Sequence, residues 1–194
     1  GTWPENDDDA QSSLAGKRSH PRVGNTTGTW QGQIVSSDDG GATWTSDFWT
    51  TDFYFNEMDC ESEDLCCASG EADSSAVPGV RIMCTTDGKN WNQTFFSNNP
   101  DDSLMNLQSL GNGKWIASGT FANSQSAGPA FLISTDGAKT WATETPSEGE
   151  VAVIAMSCAN ADTCLALGVN QFNSETVLLG SCQIITTNMS RFPP

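Results

Sequence analysis

The residues able to do chemistry in this 194-residue chain are mostly acids: 24 Asp and Glu stand against 8 Lys and Arg and a single His. Two carboxyls at a suitable separation are enough to cleave a glycoside, one as acid and the other as base or nucleophile. Among so many acids some pair meets that condition by accident, and solvated acidic loops are the simpler account. A triad built on histidine would rest on His20 alone, with no nucleophile motif beside it. His20 lies in Lys17-Arg18-Ser19-His20-Pro21-Arg22, the only basic cluster of the chain. Lys17, Arg18, His20 and Arg22 therefore read as a surface loop or a docking patch for an acidic partner. No catalytic residue is assigned, and the expectation is a protein that is not an enzyme.

Metal chemistry has two candidate sources. Oxygen donors for calcium cluster at Asp7-Asp8-Asp9, at Glu61 to Asp64 and at Asn98 to Asp102, but none has the spacing of a calcium loop. The seven cysteines could hold zinc, yet Cys66-Cys67 is not a CxxC pair and the one His is remote in sequence. Disulfides suit the spacing better. Cys60 and Cys66 are six apart, as are Cys158 and Cys164, and each pair can close a hairpin. Cys67 and Cys84 fall on neighbouring strands and form a third candidate pair, which leaves Cys182 over; other pairings stay open. No cofactor is expected, and the cysteine usage points to an oxidising compartment.

The elements that must position these residues follow from composition and pattern. A net charge of −16 and a pI near 4.1 argue against nucleic acid and against an anionic membrane surface. No apolar run approaches the roughly 20 residues of a bilayer span. The chain starts at Gly1 rather than Met, which reads as a processed product or a fragment. Eighteen Gly and seven Trp with few charges fit many turns and many large apolar anchors, hence an all-β protein.

A repeat organises the chain. Ser37-Asp38-Asp39-Gly40-Gly41-Ala42-Thr43-Trp44, Thr85-Thr86-Asp87-Gly88-Lys89-Asn90-Trp91 and Ser134-Thr135-Asp136-Gly137-Ala138-Lys139-Thr140-Trp141 share a hydroxyl, an Asp, a Gly-containing turn and a Trp. Asp87 and Asp136 are 49 apart, and so are Ala68-Ser69-Gly70, Ala117-Ser118-Gly119 and Ala166-Leu167-Gly168 in succession. Cys60, Cys66 and Cys84 recur two periods later as Cys158, Cys164 and Cys182. The units run approximately over 4–52, 53–101, 102–150 and 151–194, with a further N-terminal strand at 1–3. Within the third unit, strands are predicted over 104–110, 115–121, 130–134 and 141–145, with turn residues between them. Four short strands per unit of 40–50 residues is the arithmetic of a β-propeller blade. The Asp accepts N–H bonds inside its own turn, and the Trp can lie between neighbouring blades.

The three segments resemble Asp-boxes, or BNR repeats, with the pattern Ser/Thr-x-Asp-x-Gly-x-Thr-Trp. Ser37, Asp39, Gly41, Thr43 and Trp44 match in full; Thr85, Asp87 and Trp91, and Ser134, Asp136 and Trp141, match with the Gly shifted or the turn shortened. Members of that superfamily include sialidases, sortilin-type receptors, xyloglucanases and photosystem II assembly-factor propellers. The resemblance covers roughly residues 28 to 182 and implies a β-propeller, here of about four blades. A sialidase site would need three Arg, a Tyr–Glu pair and an Asp. The chain has Arg18, Arg22, Arg81 and Arg191, and its one Tyr, Tyr54, has no Glu set beside it by a motif. Gly1-Thr2-Trp3 resembles the tail of another box, so that its strand would complete the last blade or mark a cut inside a larger propeller.

The function expected is a non-catalytic binding or scaffold propeller in an extracytoplasmic space, secreted, at the cell surface or in an organelle lumen. It would hold a protein partner or sit in a larger complex, with a glycan as the other ligand class. The alternatives are a lumenal accessory subunit or assembly factor of a photosynthetic complex, an Asp-box glycoside hydrolase, and an extracellular adhesion module. Sequons at Asn25, Asn92 and Asn188 permit glycosylation without arguing for it.

Overall fold

A computed structural model describes residues 31–72, 77–122, 127–145, 151–170 and 176–182. Among them the chain is all-β, with its strands arranged in four antiparallel sheets. The first sheet pairs β1 (Gly32–Ser36) with β2 (Thr45–Thr50). The second is β3 (Tyr54–Cys60), β4 (Cys66–Ala72), β5 (Gly79–Thr85) and β6 (Asn92–Phe96), paired in sequence order. The third has the same order: β7 (Ser103–Gly111), β8 (Lys114–Ala122), β9 (Ala127–Ser134) and β10 (Ala142–Glu144). The last holds β11 (Val151–Asn160), β12 (Thr163–Asn170) and β13 (Thr176–Cys182). The four strands predicted in the third unit are all present, the first three longer by one to three residues at one or both ends and the fourth shorter by one at each.

Three apolar clusters join the sheets in chain order. Ile34 and Phe48 of the first sheet meet Phe53, Phe55, Ala68 and Met83. Val80, Ile82 and Cys84 of the second meet Leu104, Leu107, Trp115, Ala117 and Leu132 of the third. Ile116 and Phe131 of the third meet Val153, Cys158, Cys164 and Ala166 of the last. Ile34, Ile82 and Phe131 come from corresponding positions of successive units, so one repeat position fills each junction. Each sheet is buried on both faces where it has a sheet on either side, which is why β4, β5 and β8 read as almost continuously buried.

The repeated Ala-Ser-Gly triplet has a steric cause. Ala68, Ser69, Ala117 and Ser118 are fully buried. A Cβ on Gly70 would collide with the carbonyl oxygen of Tyr54, and one on Gly119 with that of Ser103. The first and second strands therefore approach too closely at this point for any side chain.

Three disulfides close the pairs read from the spacing: Cys60–Cys66, Cys67–Cys84 and Cys158–Cys164, with Cα separations of 4.0, 4.1 and 3.9 Å. Each links residues directly opposite across two antiparallel strands. Leu165 stands where the repeat would place the counterpart of Cys67, so the last sheet has no equivalent of the Cys67–Cys84 bridge. Such bonds persist in an oxidising environment. No helix among the described residues is long and apolar enough to cross a membrane.

Candidate functional site

The three Asp turns are built alike. In the first, the Ser37 hydroxyl donates to Asp39 Oδ1 at 2.8 Å and accepts from the Gly41 amide at 2.8 Å. The Thr43 amide and hydroxyl then donate to the two Asp39 oxygens at 2.8 and 2.7 Å. The third turn repeats this with Ser134, Asp136, Ala138 and Thr140. Gly40 and Gly41 both adopt positive φ, and so do Gly137 and Ala138; Ala138 thus holds at φ 61° a conformation that glycine takes more cheaply. The second turn is one residue shorter, with only Gly88 at positive φ, and Asn90 replaces the threonine by donating from its amide and side chain at 2.7 and 2.6 Å.

These bonds hold the carboxylates ionised. Donation by the Thr43 side chain and amide lowers Asp39 to about 2, and Thr140 does the same for Asp136, also to about 2. Asn90, through its side chain and then its amide, holds Asp87 lower still. A carboxylate pinned in this way is a poor proton donor near neutral pH. Asp39, Asp87 and Asp136 therefore organise turns. Two of the turns are tied to the first hairpin of their own sheet, Gly88 N–H to the Asp64 carbonyl at 3.2 Å and Gly137 N–H to the Gly113 carbonyl at 2.9 Å.

The tryptophans divide. Trp91 packs half-buried into the cluster between the first and second sheets. Trp141 packs between the second and third, where its Nε1–H donates to Thr94 Oγ1 on β6 at 3.0 Å. Trp44 departs from the expected burial between sheets: it is 42% exposed and donates to the Gly41 carbonyl of its own turn.

The first strands of successive sheets lie side by side and are clasped by side chains that the sequence reading did not single out. Asn56 Nδ2 donates to the Leu104 carbonyl at 3.0 Å. Asp59 Oδ2 accepts from the Ser109 amide at 2.8 Å, and Glu61 accepts from the Gly113 amide at 2.9 and 3.1 Å. One period on, Asn106 accepts from the Met156 amide at 3.1 Å, and Gln108 grips Cys158 by both its amide (2.9 Å) and its carbonyl (3.0 Å). The first strands of the second, third and last sheets also carry a bulge at the same repeat position, between Phe55 and Glu57, Leu104 and Asn106, and Val153 and Ala155. The bulged residues are Asn56, Met105 and Ile154. Met105 and Ile154 are exposed, and Asn56 Nδ2 lies 3.8 Å from the Met105 sulfur. Glu57, beside this row, is half-buried, and burial raises its pKa, helped by the neighbouring Asp59 charge.

At the start of β3, two residues before the bulge, the structure sets Glu71 beside Tyr54. The Tyr54 hydroxyl donates to Glu71 Oε1 at 2.6 Å, and Glu71 Oε2 accepts the Leu104 amide at 2.8 Å. The nearby Arg81 is almost wholly buried between the rings of Phe53 and Phe96, at 4.3 and 5.0 Å, and donates to the Val77 carbonyl at 2.6 Å. Its Nη1 has no partner, and burial lowers its pKa.

Lys17, Arg18, His20 and Arg22 lie outside the described residues, as do Asp7 to Asp9 and the sequons at Asn25 and Asn188. Asn92 opens β6 and is exposed. Of the described acidic clusters, Glu61 is held in a clasp, and Asp102 bonds Asn99 and the Ala122 amide. No three His, Cys, Asp or Glu side chains among the described residues are grouped to hold a metal ion. No protein-family model matches the chain, and no curated protein sequence matches it significantly.

Proposed function

We propose that this chain is a non-catalytic binding module, a β-propeller of Asp-box type that holds a protein partner in an extracytoplasmic compartment. The three alike turns, the four-stranded sheets in sequence order and the stacking of sheets in chain order support the propeller reading. The observation that carries the function is the row of bulged first strands. Rigid neighbouring strands, locked by backbone clasps, present Met105 and Ile154 to solvent beside the amide of Asn56 and the acid of Glu57. Exposed apolar side chains on a fixed scaffold, with polar groups at their margin, form the kind of surface a protein partner buries. The three disulfides fit the compartment.

The test is affinity capture of crosslinked partners by the full chain from its source. Met105→Ser/Ile154→Ser is expected to lose the captured protein with an unchanged melting curve. Retention of the same partner by the doubly substituted chain would move the site elsewhere.

One observation favours a second reading, a glycoside hydrolase: the Tyr54–Glu71 hydrogen bond, a phenol held by a carboxylate. Against it, both Glu71 oxygens already have partners and Arg81 is directed to the Val77 carbonyl. Turnover of any member of a glycoside panel that is lost in Tyr54→Phe would establish this reading over the first.

A further inference from the structure

Each sheet has a forward face, turned to the next sheet in the chain, and a backward face, turned to the previous one. Cys67 and Ser69 of β4 belong to the forward face of the second sheet, and Ile116 and Ser118 of β8 to that of the third; all four are fully buried by the sheet that follows. Their counterparts one period later are Leu165 and Leu167 of β12. These are 48% and 41% exposed, while Cys164 and Ala166 between and beside them are buried against the third sheet. The last sheet therefore carries a forward face of the usual kind, more apolar than its predecessors and exposed at Leu165 and Leu167.

The first sheet shows the converse. Trp91 and Trp141 reach backward, Trp91 into the cluster shared with the first sheet and Trp141 onto Thr94 of the second. Trp44 holds the same place in the repeat, and Trp49 of β2 pairs across the ladder with Gln33, on the side away from Ile34 and the second sheet. Trp44 and Trp49 are 42% and 55% exposed. Among the described residues, the substantial contacts between sheets run only from each sheet to the next.

We propose that these two faces are complementary halves of one more junction, formed head to tail between copies of this chain. Trp44 and Trp49 of one copy cover Leu165 and Leu167 of another. The contact is heterologous, so it closes into a ring or extends, rather than stopping at an isologous pair. The occupant is chosen by the chain itself: the chemistry that covers a forward face three times within the molecule is the backward face of a sheet of this repeat, and the first sheet exposes one at Trp44 and Trp49. The net charge of −16 on each copy opposes the contact and is screened within about 8 Å at physiological ionic strength. Association through this apolar junction therefore strengthens with salt. The residues that test this junction, Trp49, Leu165 and Leu167, are not those that test the bulged row, Met105 and Ile154, so its failure leaves the binding reading untouched.

Sedimentation equilibrium of the full chain over a range of concentrations, at low and high salt, tests it. The expected result is a mass of two or more copies that rises with concentration and salt. Leu165→Thr/Leu167→Thr, which keeps strand-forming side chains, is expected to run as one copy, and so is Trp49→Thr. Mixing the two variants is expected to restore pairs and nothing larger, because each retains the half the other lacks. A single-copy mass for the unsubstituted chain under all conditions would overturn the proposal; so would association that both variants retain, or a mixture that stays monomeric.

Discussion

The turns ending in Trp44 and Trp141 are almost superimposable in their bonding and opposite in what they do for the molecule. Both use a serine, an aspartate and a threonine in the same donor pattern, and both close over two residues of positive φ. Trp141 is inserted between two sheets and donates to Thr94 on the sheet before it. Trp44 bonds its own turn and faces solvent. The hydrogen-bonded turn is thus a local object, made by eight consecutive residues. The burial of its tryptophan is a tertiary property, decided by whether a preceding sheet stands beside it.

The largest effect that can test this separation comes from truncating the rings. Trp141→Ala should lower stability by about 3 kcal/mol, the low end for loss of a large aromatic because the ring is only half-buried. Trp44→Ala should cost about 1 kcal/mol or less, as for an exposed position. Urea unfolding of the two variants measures both. Equal losses would mean that Trp44 is covered in solution, and the comparison would then break in favour of a fourth junction.

The same division decided what could be read from the sequence. The strands, the two hairpin disulfides and the Asp turns are legible because their determinants lie within one turn or one hairpin: alternating residues, cysteines six apart, a hydroxyl and an Asp two apart. The repeat extended this reach, since Ala-Ser-Gly at two places one period apart reports the close approach of neighbouring strands at Gly70 and Gly119. The clasps were not legible. Asn56 and Leu104, or Gln108 and Cys158, are about one period apart, and nothing local marks an Asn or Gln as reaching across to the next sheet. Tyr54 and Glu71 were missed for a different reason. Counting back from the Cys60–Cys66 pair along a regular ladder sets Tyr54 opposite Ala72, and the bulge at Asn56 shifts the register by one residue to Glu71. The exposure of Trp44 was equally out of reach, because a matching motif carries no information about its neighbour.

A smaller effect sharpens the comparison at a second pair of residues. Gln108 makes two hydrogen bonds to Cys158 in the next sheet, whereas Gln33 donates within its own sheet, to Ser46 at 2.8 Å, in an exposed setting. Gln108→Ala leaves a part-buried amide and carbonyl of Cys158 without these partners and should cost about 1–2 kcal/mol. Gln33→Ala should stay within about 0.5 kcal/mol of the parent. Hydrogen exchange adds a local readout: the Cys158 amide should lose protection in Gln108→Ala, with the second sheet unaffected.

The smallest effect concerns the carboxylates, and here the two turns should agree. Asp39 and Asp136 are both held at about 2, against an ordinary value of 3.8, by donors from their own turns. A carboxyl lowered by folding stabilises the native state above its unfolded pKa, and that contribution disappears as the pH falls through the folded value. Both turns should therefore lose their contribution between about pH 4 and pH 2, to the same extent. Carbon-detected NMR titration should give side-chain midpoints near 2 for both residues, and Asp39→Asn and Asp136→Asn should flatten the acid limb of the stability profile alike. If Asp136 titrated low while Asp39 titrated near 3.8, the turn would not be autonomous. Insertion of Trp141 between the sheets would then be what holds the aspartate in place, and the exposed Trp44 turn would be only a copy of its sequence.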